Sequence, residues 1–140
     1  MEGYDLLIPV YNEKNILKLL DYIYNNAKKL NNIYICYDRD EDITIKIIKS
    51  SKYYKLQTLK LCKNNKNGPC EAIKTGIYNS NADCVIVYPA DDFHNGILLD
   101  KMFDLYLKGY EIVCPSRFVK GGIIRNCPFM KLLIVRIVSF

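Results

Sequence analysis

Apolar positions along this 140-residue chain follow two alternating patterns. Short runs at Asp5 to Val10, Ile33 to Tyr37, Lys55 to Leu61, Asp83 to Tyr88 and Glu111 to Cys114 have the length and composition of buried strands. Between the first two, Ile16, Leu17, Leu19, Leu20, Ile23 and Leu30 recur at three- and four-residue spacing. That spacing predicts an amphipathic helix, with Asn12 placed to cap it. Helical spacing returns over Ile43 to Ser50, Glu71 to Asn79 and Ile97 to Leu107, the last closed by Gly109. Strands alternating with helices imply βαβ units, hence an α/β fold with three α/β/α layers around a mostly parallel sheet.

Pro128 to Val138 is apolar nearly all round, interrupted by Lys131 and Arg136, and follows a proline suited to a first helical turn. Such a helix needs cover on more than one side, from a partner, a membrane surface or further chain. The reading favours further chain beyond Phe140, so the C-terminus is expected to be truncated. The size and apolar content suit one domain with one core. No stretch reaches the roughly 18 to 20 apolar residues of a spanning helix, and the N-terminus lacks a signal-peptide layout. Six cysteines are scattered without a C-x-x-C pair, and His94 is the single histidine. These features predict a soluble chain with reduced, structural thiols in the cytoplasm.

Charge changes this picture at one end. The net +5 arises because Arg117, Lys120, Arg125, Lys131 and Arg136 follow Glu111 with no further acid. A tail of this kind attracts an anion, whether a phosphate group, a membrane surface or nucleic acid, or else forms a solvated basic edge.

The candidate chemistry sits where the apolar runs stop. Leu6 to Val10 opens into Tyr11-Asn12-Glu13, and Val85 to Tyr88 opens into Pro89-Ala90-Asp91-Asp92. In open α/β sheets ligands bind outside the carboxyl ends of the strands, so these residues are expected to converge. Adjacent carboxylates repel unless a cation relieves them, which suits Mg²⁺ or Mn²⁺ at Asp91 and Asp92. Alternatively one of the two caps a helix starting near Gly96, a role open to Asp92 even if Asp91 binds metal.

Asp38, Asp40, Glu41 and Asp42 follow the second run. They could accept hydrogen bonds from a base or ribose, or stabilise a helix N-terminus; Asp42 suits the helix and Asp38 does not. Asn67-Gly68-Pro69 reads as a tight turn into a helix, without the glycine order of a dinucleotide fingerprint. Ser116-Arg117-Phe118 with Lys120-Gly121-Gly122 offers a guanidinium for phosphate, or for a surface carboxylate. The basic residues lack interleaved aromatics, so nucleic acid is not an expected partner.

Taken in order, these segments resemble glycosyltransferase family 2, within it the branch acting on polyprenyl phosphates. The family's P-x-Y-N-E appears as Pro9-Val10-Tyr11-Asn12-Glu13, and its V-D-D-G-S-x-D as Cys36-Tyr37-Asp38-Arg39-Asp40-Glu41-Asp42. Its glycine-containing third motif spans Asn67 to Gly76, its D-x-D falls on Pro89-Ala90-Asp91, and its S-R-[YF]-V-x-G-G is Ser116 to Gly122. Pro89, Tyr37, Cys70 and Val135 depart from the family's residues at their positions.

The resemblance implies a GT-A fold, a nucleotide-diphosphate sugar donor and a divalent metal. It implies that Pro9, Tyr11, Glu13, Asp38 and Ala90 bind donor, and that Asp91 meets metal and diphosphate as the catalytic residue. Arg117 and Lys131 would bind the acceptor phosphate. Residues 1–92 would then form the nucleotide-sugar half and 93–140 the start of the acceptor half. An acceptor of this kind places the chain at the cytoplasmic face of a membrane, touched through the basic segment. The expected reaction moves a sugar to polyprenyl phosphate with inversion. Two rivals are transfer to a saccharide or lipid hydroxyl, and a non-catalytic nucleotide-binding subunit of the same fold.

Overall fold

The computed structural model describes residues 3–116. Its centre is β1 (Tyr4–Pro9), whose residues from Tyr4 to Ile8 are almost wholly buried. A strand buried on both faces needs a continuous apolar run, and that run is what the chain supplies. β1 pairs in parallel with β2 (Leu30–Tyr37) on one side and with β4 (Val85–Val87) on the other. β3 (Leu59–Lys63) pairs in parallel with β2, giving the order β3-β2-β1-β4.

Side chains alternate across β1, so the sheet has two apolar faces. Tyr4, Leu6 and Ile8 meet α1 (Ile16–Asn26), α2 (Ile43–Lys49) and α4 (Leu99–Leu107) in the larger core. Leu7, Tyr34 and Cys36 meet α3 (Pro69–Asn79) on the opposite face. The three α/β/α layers and parallel sheet expected from the sequence are thus present.

Gly76 is what lets α3 lie so close. A Cβ there would stand 2.8 Å from both Leu7 methyls and 3.1 Å from the Cys36 sulfur. Gly76→Val is therefore expected to destabilise the fold by about 1–3 kcal/mol, as overpacking does. Urea unfolding with an unchanged slope checks this; an unshifted midpoint would refute it.

Four local expectations are corrected. Glu111 to Cys114 forms no strand and has no ladder partner among the described residues; Ile112 stands exposed. A strand exists only where a neighbour completes its hydrogen bonds. The run from Lys55 begins instead as a 3-10 turn over Lys52–Lys55, and extended structure starts at Leu59. Ser51 caps that turn through the Tyr53 N–H, and Tyr53 is buried against Tyr24 with ring centroids 5.6 Å apart. Asn12 does not cap α1, which starts after Asn15. A 3-10 turn, Asn95–Leu98, replaces the first turn expected for α4.

The five described cysteines are free. Burial, with Cys62 alongside, pushes the Cys36 thiol up to about 12, which suits a structural role. No helix among the described residues is long and apolar enough to cross a membrane. Arg117, Lys120 to Gly122, Cys127, Lys131 and the segment Pro128 to Val138 lie outside the described residues.

Candidate functional site

All four strands run the same way, so their carboxyl ends share one edge of the sheet. β1 lies between β2 and β4, and the crossover connections diverge from it, the switch point at which open sheets accept ligands. Pro9 pairs with Cys36. That register sets the exit of β1 beside the exit of β2.

The loop after β1 is fastened to α2. The Asn12 N–H donates to Asp42 Oδ2 at 3.0 Å, the Glu13 N–H donates to Thr44 Oγ1 at 2.7 Å, and Asn12 Oδ1 accepts from Ile43 N at 3.3 Å. Asn12 takes φ 52°, a left-handed conformation that asparagine tolerates better than most residues. Asp42 Oδ1 caps α2 through the Thr44 N–H at 2.7 Å. Helix capping, one of the two roles open to this acidic cluster, thus falls to Asp42. Glu13 turns its carboxylate to the Asn15 N–H at 2.9 Å.

Asp38 is held from the other side. Its carboxylate accepts the Asn64 amide at 2.8 Å and the Gly68 N–H at 3.1 Å. Asn64 is only 7% exposed, its own N–H donates to the Tyr37 carbonyl at 2.8 Å, and its Oδ1 has no partner. Gly68 sits at φ 113°, a conformation that a side chain resists, and so turns its N–H toward Asp38. Asp40 is drawn away by Lys63, whose hydrogen bond holds the Asp40 carboxyl below its ordinary value. The outcome is a cleft of about 140 Å³ lined by Tyr11, Asn12, Asp38, Arg39, Glu41 and Asp42. Tyr11 is 73% exposed and offers its ring to whatever enters.

The turn after β4 separates its two carboxylates. Asp92 accepts from the His94 N–H at 2.9 Å, the Asn95 N–H at 3.0 Å and the Asn95 amide at 2.6 Å. Partial burial pushes the Asp92 carboxyl up, but the hydrogen bonds from Asn95 and His94 outweigh it and hold it below its ordinary value. Tyr88 donates to the Asp92 carbonyl at 2.9 Å, and Tyr22 on α1 donates to the His94 carbonyl at 2.7 Å. Asp91 is exposed and has no hydrogen-bond or ion-pair partner among the described residues.

Asp91 thus fits a hard cation as a single carboxylate, the kind of partial shell that Mg²⁺ completes with substrate phosphates and water. No group of three or more potential ligands occurs among the described residues. Tyr11 and Asp38 share the cleft, and Pro9 underlies it at the strand end. Ala90 packs against the core, and Asp91 lies at the β4 exit on the same sheet edge, outside that cleft. Arg117 and Lys131 lie outside the described residues.

Sequence reasoning missed Thr44, Asn64 and Arg39. Asn64 could have been found by applying the strand-end rule to the third strand. Thr44 looks like any other helix residue until the β1 loop reaches it.

Residues 5–136 match the sequence model described as Glycosyl transferase family 2. The chain is 31% identical over 132 residues to a dolichol-phosphate mannosyltransferase of Pyrococcus furiosus, an alignment covering 92% of this chain and 37% of that protein. The chain therefore spans little more than a third of that relative's length. The crystal structure of S. aureus TarS 1-349 in complex with UDP-GlcNAc superposes with a TM-score of 0.63 at 18% identity, over 84% of this chain and 38% of that one. That likeness is one of fold.

Proposed function

The chain belongs to glycosyltransferase family 2 and has its GT-A type of fold, and from that premise we propose that it moves a sugar from a nucleotide-diphosphate donor to a polyprenyl phosphate. The single observation carrying this reading is the juxtaposition at one sheet edge of a cleft holding Tyr11 and Asp38 with an unpartnered carboxylate, Asp91. The 31% identity to a dolichol-phosphate mannosyltransferase supports the choice of acceptor. In this proposal Pro9, Tyr11, Glu13 and Asp38 hold the nucleoside, and Ala90 and Asp91 face the diphosphate. Arg117 and Lys131 bind the acceptor phosphate. Residues 1–92 then serve the donor and residues 93–140 begin the acceptor half.

The chemistry asks little of a general base. A prenyl phosphate oxygen is ionised near neutral pH, so it attacks the sugar C1 directly while the bond from C1 to the diphosphate oxygen breaks. The tasks left to the protein are alignment and charge control. Tyr11 and Asp38 fix the nucleoside end, and Asp91 sits where negative charge must be managed. Asp91 would hold Mg²⁺ or Mn²⁺, which would supply positive charge to the leaving diphosphate. Attack from the face opposite the leaving group inverts C1. An acceptor of this class places the chain at a membrane surface when it works.

Calorimetry with UDP- and GDP-sugars, with and without Mn²⁺, followed by a transfer assay to polyprenyl phosphate in detergent, tests the proposal. The expected result is metal-enhanced donor binding and a sugar-phosphate lipid of inverted configuration. Donor binding without turnover would favour the non-catalytic reading, which Pro89 and Tyr37 would then explain. Transfer to a hydroxyl acceptor alone would overturn the choice of acceptor.

A further inference from the structure

Arg39 is the one arginine among the described residues, and it stands in a cleft with three carboxylates, Asp38, Glu41 and Asp42. It has no hydrogen-bond or ion-pair partner for its guanidinium among the described residues. Two of the acids nearby are engaged elsewhere, Asp42 with Thr44 and Asn12 and Asp38 with Asn64 and Gly68, while Glu41 is exposed and makes no hydrogen bond among the described residues. Lys63 takes Asp40. The cleft therefore holds a fixed carboxylate beside an unpaired, rigid donor fork, with the exposed ring of Tyr11 next to both.

We infer that Arg39 is a specificity-determining residue that reads the base of the bound nucleotide, and that it selects a keto base, guanine or uracil. The inference rests on the donor site proposed above. A carboxylate accepts only, and a guanidinium donates only. A base that satisfies both must present a ring N–H next to a carbonyl. Guanine does so with N1–H and O6, and uracil with N3–H and O4. With Asp38 at the ring nitrogen and Arg39 at the neighbouring exocyclic position, adenine and cytosine fail twice. Their ring nitrogen is an acceptor facing a carboxylate, and their amino group is a donor facing a guanidinium. Guanine further offers N7 beside O6, a pair that arginine engages with two parallel hydrogen bonds. Tyr11 supplies an aromatic face on which any of these bases can stack, so stacking adds affinity without choosing among them.

The family motif carries glycine where this chain has Arg39, so the contact is a property of this sequence and of the cleft it lines. As an exposed residue without a partner, Arg39 can be replaced without disturbing the fold.

The experiment is calorimetry of the whole chain with GDP, UDP, ADP and CDP, repeated for Arg39→Ala and Arg39→Lys. The parent is expected to prefer GDP and UDP over ADP and CDP. Arg39→Ala should weaken the keto-base nucleotides by about ten- to a hundredfold, the range of a base-reading pair, and change the amino-base nucleotides less than about threefold. Arg39→Lys keeps the charge and loses the fork, so it should recover uracil affinity better than guanine affinity. GDP and UDP arms of the parent distinguish which keto base is the physiological one. Equal loss for all four nucleotides would mean that Arg39 meets the phosphates, and unchanged affinities would mean that it meets nothing; either overturns the inference while leaving the donor site standing. A parent that binds no nucleotide overturns the donor site and the inference together.

Discussion

Asp91→Asn is expected to lower sugar transfer by about 10²–10³-fold while shifting the thermal midpoint by less than about 2 °C. The two halves of this result come from one structural fact. Asp91 has no partner among the described residues and is exposed, so nothing in the described fold depends on its charge. Removing a side chain of that kind rarely disturbs stability. In the proposed reaction the leaving diphosphate, by contrast, gathers charge as its bond to C1 breaks, and a group managing that charge acts most strongly in the transition state. The loss should fall on kcat more than on KM, and stimulation by Mn²⁺ should fall with it. Asp92→Asn makes the contrast. Its carboxylate serves the His94 and Asn95 donors, so its replacement should loosen the turn and leave more of the activity. An Asp91→Asn enzyme retaining a tenth of the parental rate would overturn the assignment of Asp91.

The largest effect on stability is expected from Asp5→Ala, at about 2–4 kcal/mol, or roughly 10 °C in the thermal midpoint. Asp5 is 1% exposed on the central strand, a place where a carboxylate survives only if its hydrogen bonds are complete. They are supplied from two elements. Between Tyr4 and Asp5 the β1–β2 register slips, leaving Asp5 opposite Asn32. Asp5 Oδ1 accepts the Asn32 N–H at 3.1 Å and its amide at 2.9 Å, and Oδ2 accepts the Ser80 hydroxyl at 2.6 Å. Ser80 is the cap at the end of α3, so one side chain ties β1, β2 and α3 together. Alanine leaves these donors half-buried without an acceptor. Asp5→Asn retains an acceptor of the same shape and should restore part of the loss. Chemical denaturation measures both variants, and an Asp5→Ala midpoint equal to the parent's would defeat the argument.

The alternation of strands and helices was legible because each element is specified by residues close together in the chain, short apolar runs for the strands and three- or four-residue spacing for the helices. β1, β2, α2 and α3 fall within a few residues of their expected positions for that reason. Expectation failed where a residue's fate depends on something distant. The apolar residues of Glu111 to Cys114 look like a strand, yet strand formation requires a partner that periodicity cannot supply. Tyr53 pulls its segment into a tight turn because a pocket beside Tyr24 lies across the chain. In the site, Asp38 and Tyr11 were recognisable from their place after strands, whereas Asn64 and Thr44 gained their roles from contacts formed 26 and 31 residues away.

By itself the sequence determined the class of fold and the family, and it pointed to the strand ends as the place to look for chemistry, since hydrophobic spacing and ordered motifs are written locally. Only the tertiary structure decided which of two adjacent carboxylates stays available, what fixes Asp38, and that Arg39 stands unpaired within its cleft. Those outcomes depend on hydrogen bonds between segments far apart in the chain. Their geometry exists only once a parallel sheet has set the four strand exits side by side.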